Sequence, residues 1–241
     1  EKAVRGLTTL GEGEHWVLKP CYLGDGLWTP GIRAGVVPGS EFHLTEYFAP
    51  VLGVMRVDTL EEAIAAVNDV DYGLTSGLHT LDTEELAMWL EGIEAGNLYV
   101  NRGITGAIVR RQPFGGWKRS AIGSTTKAGG PSYLLGLGEV EAAREAAVGE
   151  STTDTAQLAP SVRALCHAVS SHLSADEAAE LRSAVANDAA AWACAYGVGR
   201  DVTSLACERN ILRYRPTPVL VRAGSGTTLV DTVRVLAAGV L

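Results

Sequence analysis

Thiols and imidazoles are the first side chains to consider for chemistry, because they supply many of the nucleophiles and metal ligands of proteins. The chain of 241 residues has four cysteines and five histidines, and both sets are scattered. Cys21, Cys166, Cys194 and Cys207 match neither the Cys-x-x-Cys spacing of a metal site nor a dense disulfide framework. We therefore predict no metal site and interpret the four cysteines as free, buried thiols.

Two other segments combine charged, aromatic and glycine residues in patterns that secondary-structure periodicity does not explain. Residues 46–50 read EYFAP, and residues 112–120 read QPFGGWKRS. The second segment is preceded by the small residues TGA at 105–107 and followed by KAGGP at 127–131. Such combinations are typical of loops that bind ligands.

The order of these segments resembles the aldehyde dehydrogenase superfamily. In that superfamily a Glu-x-Phe-Gly-Pro segment precedes an Asn-bearing strand and then a Pro-Phe-Gly-Gly-x-Lys-x-Ser segment. Residues 105–107 and 127–131 look like the L-glutamate γ-semialdehyde (1-pyrroline-5-carboxylate) dehydrogenase branch, and especially its bifunctional proline utilization A-type members. The resemblance covers residues 1 to about 138. Residues 208–216 also resemble the longer bifunctional enzymes, which append an aldehyde-dehydrogenase-like domain.

The resemblance implies roles for five residues. Glu46 would accept hydrogen bonds from the hydroxyls of the nicotinamide ribose, and Phe48 would pack beside that riboside. Gly106 and Ala107 would hold the α-carboxylate of the substrate through backbone N–H groups, and Phe114 would line the path of the aldehyde. The alternative is that Glu46 is a solvated residue at a strand edge, that Phe48 and Phe114 are core residues, and that the glycines form an ordinary turn.

Ala49 departs from the family pattern, in which glycine is usual at this position. If the backbone here requires a positive φ, alanine would cost about 1 kcal/mol or more and would displace the neighbouring Phe48. If the geometry of the cofactor site deviates from that of the family, we expect the deviation at Ala49.

The reaction implied by the resemblance is attack of a cysteine thiolate on the aldehyde, hydride transfer to NAD and hydrolysis of the thioester by water that a glutamate activates. We find no catalytic residue in this chain, because Cys21 lacks a family-like surround and the other cysteines lie in the tail. The chain alone is therefore predicted to be inactive. FAD is expected only in a proline dehydrogenase domain outside it. A catalytically inactive scaffold or oligomerisation domain, or a nucleotide-binding or protein-interaction module, remains the alternative.

The elements that must position these residues follow an α/β pattern. We predict strands over 51–57, 74–79 and 97–101, with helices between them that open at capping boxes 59–62 and 82–85. Gly96 is predicted to stop the second helix. This alternation indicates a parallel sheet covered by helices, as expected for the carboxyl-terminal part of an aldehyde dehydrogenase catalytic domain. Residues 103–138 are rich in glycine, proline and serine, and they are predicted to form an ordered loop.

The composition changes near residue 150, since no lysine follows Lys127. We predict a catalytic-domain portion over 1–148, a linker over 149–160 and a truncated accessory domain, small α/β or helical, over 161–241. Helices are expected over 161–173 and 174–195, a strand over 218–223, and a helix with one apolar face, formed by Leu229, Val233, Leu236 and Ala237.

The net charge of −8 argues against a general nucleic-acid surface. Arg110, Arg111, Lys118 and Arg119 form the densest basic cluster, which we interpret as a solvated face or subunit contact, with a phosphate or nucleic-acid patch as the alternative. No apolar run approaches the roughly 20 residues of a membrane span, and no signal peptide is evident. We expect a cytoplasmic protein, cut at both ends, that acts on a small molecule and forms a homo-oligomer at full length.

Overall fold

The computed structural model describes residues 1–109, 111–121, 127–139 and 158–240, which fall into two compact units, residues 1–139 and 140–241. The helices of unit 1 are α1 (Lys2–Thr8), α2 (Glu41–Leu44), α3 (Leu60–Asn68) and α4 (Thr83–Gly92). Its strands are β1 (His15–Leu18), β2 (Tyr22–Gly24), β3 (Leu27–Trp28), β4 (Gly31–Ala34), β5 (Val51–Val54), β6 (Tyr72–Gly73), β7 (Thr75–Leu78), β8 (Asn97–Val100) and β9 (Trp117–Lys118). Unit 2 contains α5 (Pro160–Val169), α6 (Ala175–Ala191), β10 (Arg200–Asp201), β11 (Ile211–Leu212) and α7 (Leu229–Gly239).

The α/β pattern predicted for residues 51–101 is confirmed, and both strand pairs concerned are parallel. The three predicted strands, however, do not form one sheet. β7 pairs with β8, whereas β5 pairs with β4 in a sheet of order β1-β4-β5. Strands β1 to β4 were not predicted, because they are only two to four residues long and are separated by glycine and proline.

The predicted N-caps of α3 and α4 are confirmed, although neither forms the reciprocal box. Thr59 accepts a hydrogen bond from the Glu62 backbone (3.2 Å), but the Glu62 carboxylate accepts from the backbone of Asp58 (2.9 Å). Asp82 caps α4 by accepting from two backbone N–H groups of the first turn. Each helix therefore begins where the sequence predicts, stabilised by about 1 kcal/mol per cap.

Gly96 does not end α4, which already stops at Gly92. A Cβ atom at Gly96 would lie 1.9 Å from the carbonyl oxygen of Gly115, which real side chains never allow. Glycine is therefore required here so that the loop 103–138 can approach the start of β8, and not for helix termination.

A buried ion pair joins the amino-terminal elements of unit 1. Arg33 on β4 donates to Glu14 at 2.7 Å, and the two side chains are only 2% and 3% exposed. The guanidinium also donates to the backbone oxygen of Gly6 and lies against the rings of Trp16 and Phe42, with centroid distances of 4.7 and 3.9 Å. One side chain thus ties α1, β1 and α2 to the sheet.

Unit 2 has a helical core. The residues that α5, α6 and α7 bury together, with one residue before α5, are Leu158, Val162, Leu181, Val185, Val230, Val233 and Ala237. The capping box that the sequence predicts at Ser174 is confirmed, with Glu177 as its partner. Leu158 falls within the predicted linker but belongs to this core, and α5 already begins at Pro160.

Two predictions for unit 2 are wrong in whole or in part. Residues 218–223 form no strand, and Val219 and Leu220 are 69% and 78% exposed, because no neighbouring strand pairs with them among the described residues. The apolar face of α7 was predicted only in part: Val233 and Ala237 are buried as predicted. Leu229 and Leu236 are 43% and 39% exposed, and Val230 is buried instead.

A short hairpin, β10 with β11, was not predicted. Its loop is organised by Asp201, whose carboxylate accepts from the hydroxyl and backbone of Thr203 and from the backbones of Ser204 and Asn210. These hydrogen bonds, led by the Thr203 hydroxyl, lower the pKa of Asp201 to about 2. The hairpin therefore depends on local polar contacts that two-residue strands do not reveal in sequence.

The Arg33 ion pair predicts a large stability effect. Arg33→Met keeps most of the side-chain volume but leaves Glu14 buried without a counter-charge, so unfolding free energy should fall by about 3–5 kcal/mol. The measurement is urea unfolding of the chain followed by tryptophan fluorescence, to which Trp16 contributes beside the pair. Arg119→Met is the matched control, because Arg119 and Asp71 are also 2.7 Å apart but 68% and 70% exposed. The control should cost no more than about 1 kcal/mol. Equal losses for the two variants would contradict the role given to burial.

Candidate functional site

Glu46 and Phe48 lie in the segment between α2 and β5, and both project from the surface. Glu46 is exposed and has no hydrogen-bond or ion-pair partner within the part of the chain that the structure describes. The side chain of Phe48 is 80% exposed, so the alternative interpretation of Phe48 as a core residue is wrong. An acceptor and an aromatic face are thus presented two residues apart, an arrangement that fits a riboside carrying hydroxyl groups.

Tyr47, between them, is the anchor of this segment. Its side chain is only 8% exposed, and its ring stacks on Phe42 with the centroids 5.1 Å apart. A Cβ atom at Gly6 would lie 2.6 Å from the ring, so α1 packs against Tyr47 without space to spare. The phenol donates to Glu41 at 3.2 Å, and burial followed by the Glu41 contact raises its pKa. Tyr47 therefore remains a protonated donor that fixes its two neighbours.

The positive φ considered for Ala49 occurs one residue earlier in the chain. Phe48, and not Ala49, has a left-handed backbone with φ of 51°. Alanine at position 49 therefore carries no left-handed strain, because the condition for that strain, a positive φ at this residue, is not met. A phenylalanine in this region costs roughly 1–3 kcal/mol, which the packing of Tyr47 must offset. Strain of this kind often accompanies ligand contacts.

An open cavity of about 520 Å³ lies beside Phe48. Its other walls are largely apolar and come from α1, from the hairpin β2–β3 and from the start of β5, through Ala3, Val4, Leu7, Tyr22, Gly26, Trp28, Ala49 and Pro50. The Nζ of Lys2 lies 5.7 Å from the centre of the Phe48 ring. Glu46 is not part of the lining, so the cavity presents an aromatic wall without the carboxylate.

Gly106 and Ala107 follow the carboxyl end of β8. Gly106 is exposed and has φ of +89°, a conformation that L side chains rarely adopt. A Cβ atom there would meet only Nη2 of Arg102, at 3.8 Å, so a side chain at this position would have space. Backbone N–H groups that flank a left-handed residue can converge on an anion, and this geometry fits the predicted carboxylate site.

Phe114 is 38% exposed and is not a core residue. Its backbone exchanges two hydrogen bonds with Ala128, at 3.1 and 2.8 Å. Its neighbours are held by the side chain of Asn97, which donates to the oxygen of Pro113 (3.0 Å) and accepts from the nitrogen of Gly115 (3.1 Å). Phe114 is therefore presented from a segment tied to the first residue of β8.

The structure places the candidate residues in two groups. Glu46 and Phe48 belong to the segment before β5, in one parallel strand pair, and the loop residues Gly106, Ala107 and Phe114 are attached to β8, in the other pair. Within the loop, Phe114 is attached at the start of β8, whereas Gly106 follows its end in sequence. The loop therefore runs back along the strand that precedes it.

Sequence analysis assigned no role to Tyr47, Asn97 or Lys127. The Nζ of Lys127 donates to the backbone oxygen of Gly115 (2.7 Å), to Oδ1 of Asn97 (3.1 Å) and to the backbone oxygen of Gly96. Burial lowers the pKa of Lys127 to about 8. Lys127 and Asn97 both lie in segments that carried the family resemblance. Their roles were not visible there, because their partners are mostly backbone groups distant in sequence.

The four cysteines differ from the prediction in their exposure. All four cysteines are free, as predicted, but Cys21, Cys194 and Cys207 are exposed, so the expectation that they are buried is wrong. Cys166 is half-buried, and burial raises its pKa. Within the described residues, no group of three or more potential ligands could hold a metal ion.

In the basic cluster, two residues pair with acids of unit 1. The Nζ of Lys118 lies 2.7 Å from a carboxylate oxygen of Glu94, and Arg119 is 2.7 Å from Asp71. Arg110 lies outside the described residues. None of the helices in the described part of the chain has the length and apolar character needed to span a bilayer.

Comparison with known proteins gives matches over both units. The model of the aldehyde dehydrogenase family matches residues 2–141. A curated 1-pyrroline-5-carboxylate dehydrogenase of Staphylococcus haemolyticus is 40% identical over 116 residues, which are 48% of this chain and 22% of that protein. The structure of proline utilization A from Corynebacterium freiburgense is 43% identical, with a TM-score of 0.82 over 100% of this chain and 23% of its own. The structure of a 1-pyrroline-5-carboxylate dehydrogenase from Thermus with bound NAD is 36% identical, with a TM-score of 0.50. The match covers 56% of this chain and 27% of the Thermus chain. The chain thus spans about a quarter or less of the length of these relatives.

Proposed function

This chain belongs to the aldehyde dehydrogenase family, and we propose that it forms part of an NAD-dependent L-glutamate γ-semialdehyde dehydrogenase that acts in proline catabolism. In this proposal the chain supplies one wall of the cofactor site and the loop that binds the substrate. The catalytic cysteine and the glutamate that activates water come from sequence outside this chain. The chain alone is therefore inactive, and units 1 and 2 are the catalytic portion and an accessory domain.

The observation that carries the proposal is the similarity to proline utilization A over the whole chain, at 43% identity. A family match to residues 2–141 alone would support an aldehyde dehydrogenase without naming its substrate. The similarity of unit 2 as well favours the bifunctional enzymes, in which a longer chain carries an additional domain. The curated relatives support the same aldehyde as the substrate.

The geometry of the loop supports a substrate with a carboxylate. The left-handed backbone at Gly106 suits an anion that is held by N–H groups of residues 106 and 107. The exposed ring of Phe114 offers an apolar surface to the methylene groups between this carboxylate and the aldehyde. A short aliphatic aldehyde would use the second contact but not the first.

The segment around Tyr47 supports a nicotinamide cofactor. The exposed carboxylate of Glu46 accepts hydrogen bonds from ribose hydroxyls, and the exposed ring of Phe48 packs against the riboside. When bound, NAD accepts the hydride of the oxidised aldehyde. The task of this segment is orientation, because it holds an acceptor and an aromatic face rigidly relative to each other.

Glu46→Gln in the complete enzyme tests the cofactor role. The amide replaces one acceptor oxygen with a donor, so a charge-assisted hydrogen bond worth roughly 1.5–3 kcal/mol is lost. Turnover or apparent NAD affinity should therefore fall about tenfold or more, as measured by steady-state kinetics at varied NAD. Glu61→Gln, at another exposed carboxylate of the same unit, is the control and should leave both within twofold. If Glu46→Gln also stays within twofold, the role of Glu46 is wrong.

Gly106→Val in the complete enzyme tests the substrate. Valine adds a branched side chain in front of the N–H groups and cannot easily adopt φ of +89°, so the carboxylate should be excluded. We expect the ratio of kcat/KM for glutamate semialdehyde to that for a short aliphatic aldehyde to fall at least about tenfold, or roughly 1.4 kcal/mol.

The control for this experiment is Gly103→Val. Gly103 lies in the same loop, a Cβ atom there would meet nothing within 4 Å, and its φ is not positive. The ratio should remain unchanged in this variant. An unchanged ratio in Gly106→Val, with the protein folded, would remove the argument for glutamate semialdehyde and leave only the family assignment.

A further inference from the structure

The backbone on both sides of Phe114 is held at every polar group from the oxygen of Pro113 to the oxygen of Gly115. Asn97 binds the first oxygen and the nitrogen of Gly115, and Ala128 binds both polar groups of Phe114 itself. The oxygen of Gly115 accepts from Lys127. A surface loop leaves many of its backbone groups to water, so this degree of fixation indicates that the position of Phe114 is specified.

Lys127 occupies the centre of this arrangement. Its ammonium group has three N–H donors, and it meets three neutral oxygens, those of Gly96, Gly115 and the Asn97 side chain. Within the described part of the chain no carboxylate contacts it. A partly buried cation normally requires a counter-charge, so a lysine that faces only amide oxygens serves to hold them in place.

The surrounding backbone leaves no room for another arrangement. A Cβ atom at Gly115 would lie 3.0 Å from the Cα and Cγ atoms of Lys127, and one at Gly96 would overlap the Gly115 oxygen. The oxygen of Lys127 itself accepts from Gly130 at 2.8 Å, which fixes its own backbone. The lysine is therefore enclosed by a segment fitted closely around it.

From this geometry we propose that Lys127 is a positioning residue, which acts with Asn97 to hold Phe114 where the aldehyde passes and thereby sets the affinity for the aldehyde substrate. The inference rests on the proposed function for its kinetic consequence. Lys127 does not touch the substrate, and its effect is transmitted only through the backbone of Gly115 and the bridge between Phe114 and Ala128.

The test is a double-mutant cycle in the complete enzyme with Lys127→Met and Phe114→Ala. Lys127→Met keeps an unbranched side chain that is one atom shorter and removes all three donors. It should raise KM for glutamate semialdehyde about tenfold while KM for NAD changes less than twofold. In the Phe114→Ala background the same substitution should change KM for the aldehyde less than twofold, because the residue through which it acts is gone.

Lys118→Met is the matched control. Lys118 also binds backbone oxygens, those of Asn68 and Val70, but it does not bind residues 113–115. Its loss should lower stability without changing KM for the aldehyde more than twofold. A general structural effect of Lys127→Met would instead change KM equally in both backgrounds, and that result would overturn the proposal.

Hydrogen exchange separates this inference from the proposed function. If the wild-type enzyme does not oxidise glutamate semialdehyde, the proposed function fails. The positioning role of Lys127 is then tested by hydrogen exchange at the amides of Phe114, Gly115 and Ala128. These amides should exchange at least tenfold faster in Lys127→Met but not in Lys118→Met. Unchanged protection in Lys127→Met would overturn the positioning role of Lys127. If Lys127→Met does not fold, Lys127→Gln, which keeps two donors on a shorter side chain, replaces it in both experiments with the same criteria.

Discussion

The side-chain amide of Asn97 links the parallel strands of unit 1 to the long loop that follows them. It lies at the first position of β8, is 9% exposed, and is bonded to Pro113, Gly115 and Lys127. A buried amide stabilises a fold only when its donors and acceptor are satisfied, and here the loop supplies all three partners. The loop must therefore fold back against β8 in one register. Gly96 and Gly115 meet too closely for any side chain, so backbone contact and amide contact depend on each other.

The same arrangement recurs at the other group of candidate residues. Tyr47 is buried between Gly6 and Phe42, and Phe42 in turn lies beneath the guanidinium of Arg33. A continuous stack thus runs from the buried ion pair to the exposed residues Glu46 and Phe48. Glu46, Phe48 and Phe114, which are proposed to contact ligand, are exposed, and a buried neighbour, Tyr47 or Asn97, holds the backbone beside each of them. This separation allows a site to present apolar and charged groups to solvent without losing its geometry.

The elements that the sequence predicts well are those whose signals are local. The caps at Thr59, Asp82 and Ser174 and the helices that follow them depend on residues three or four positions apart, and all three are found. Strand partners depend on distant segments, and for this reason β5 was placed in the wrong sheet and residues 218–223 were assigned to a strand that lacks a partner. The candidate site residues could be named only by resemblance. Their anchors could not, because Lys127 and Tyr47 act through backbone groups and ring faces that leave no spacing rule in the sequence.

The two left-handed residues of the candidate site, Gly106 and Phe48, differ in how their backbone conformation is stabilised. Gly106 adopts φ of +89° at little steric cost, because it has no Cβ atom, so this conformation needs no dedicated packing. Phe48 adopts φ of 51° with a large side chain that is itself 80% exposed and cannot contribute packing energy of its own. The strain of the Phe48 backbone must therefore be offset by the buried ring of the adjacent residue, Tyr47. A strained functional residue therefore requires a bulky, buried neighbour, whereas a glycine can be placed almost anywhere in an ordered loop. It follows that the size of residue 47 constrains the conformation of residues 46–50 more strongly than the choice between glycine and alanine at position 49.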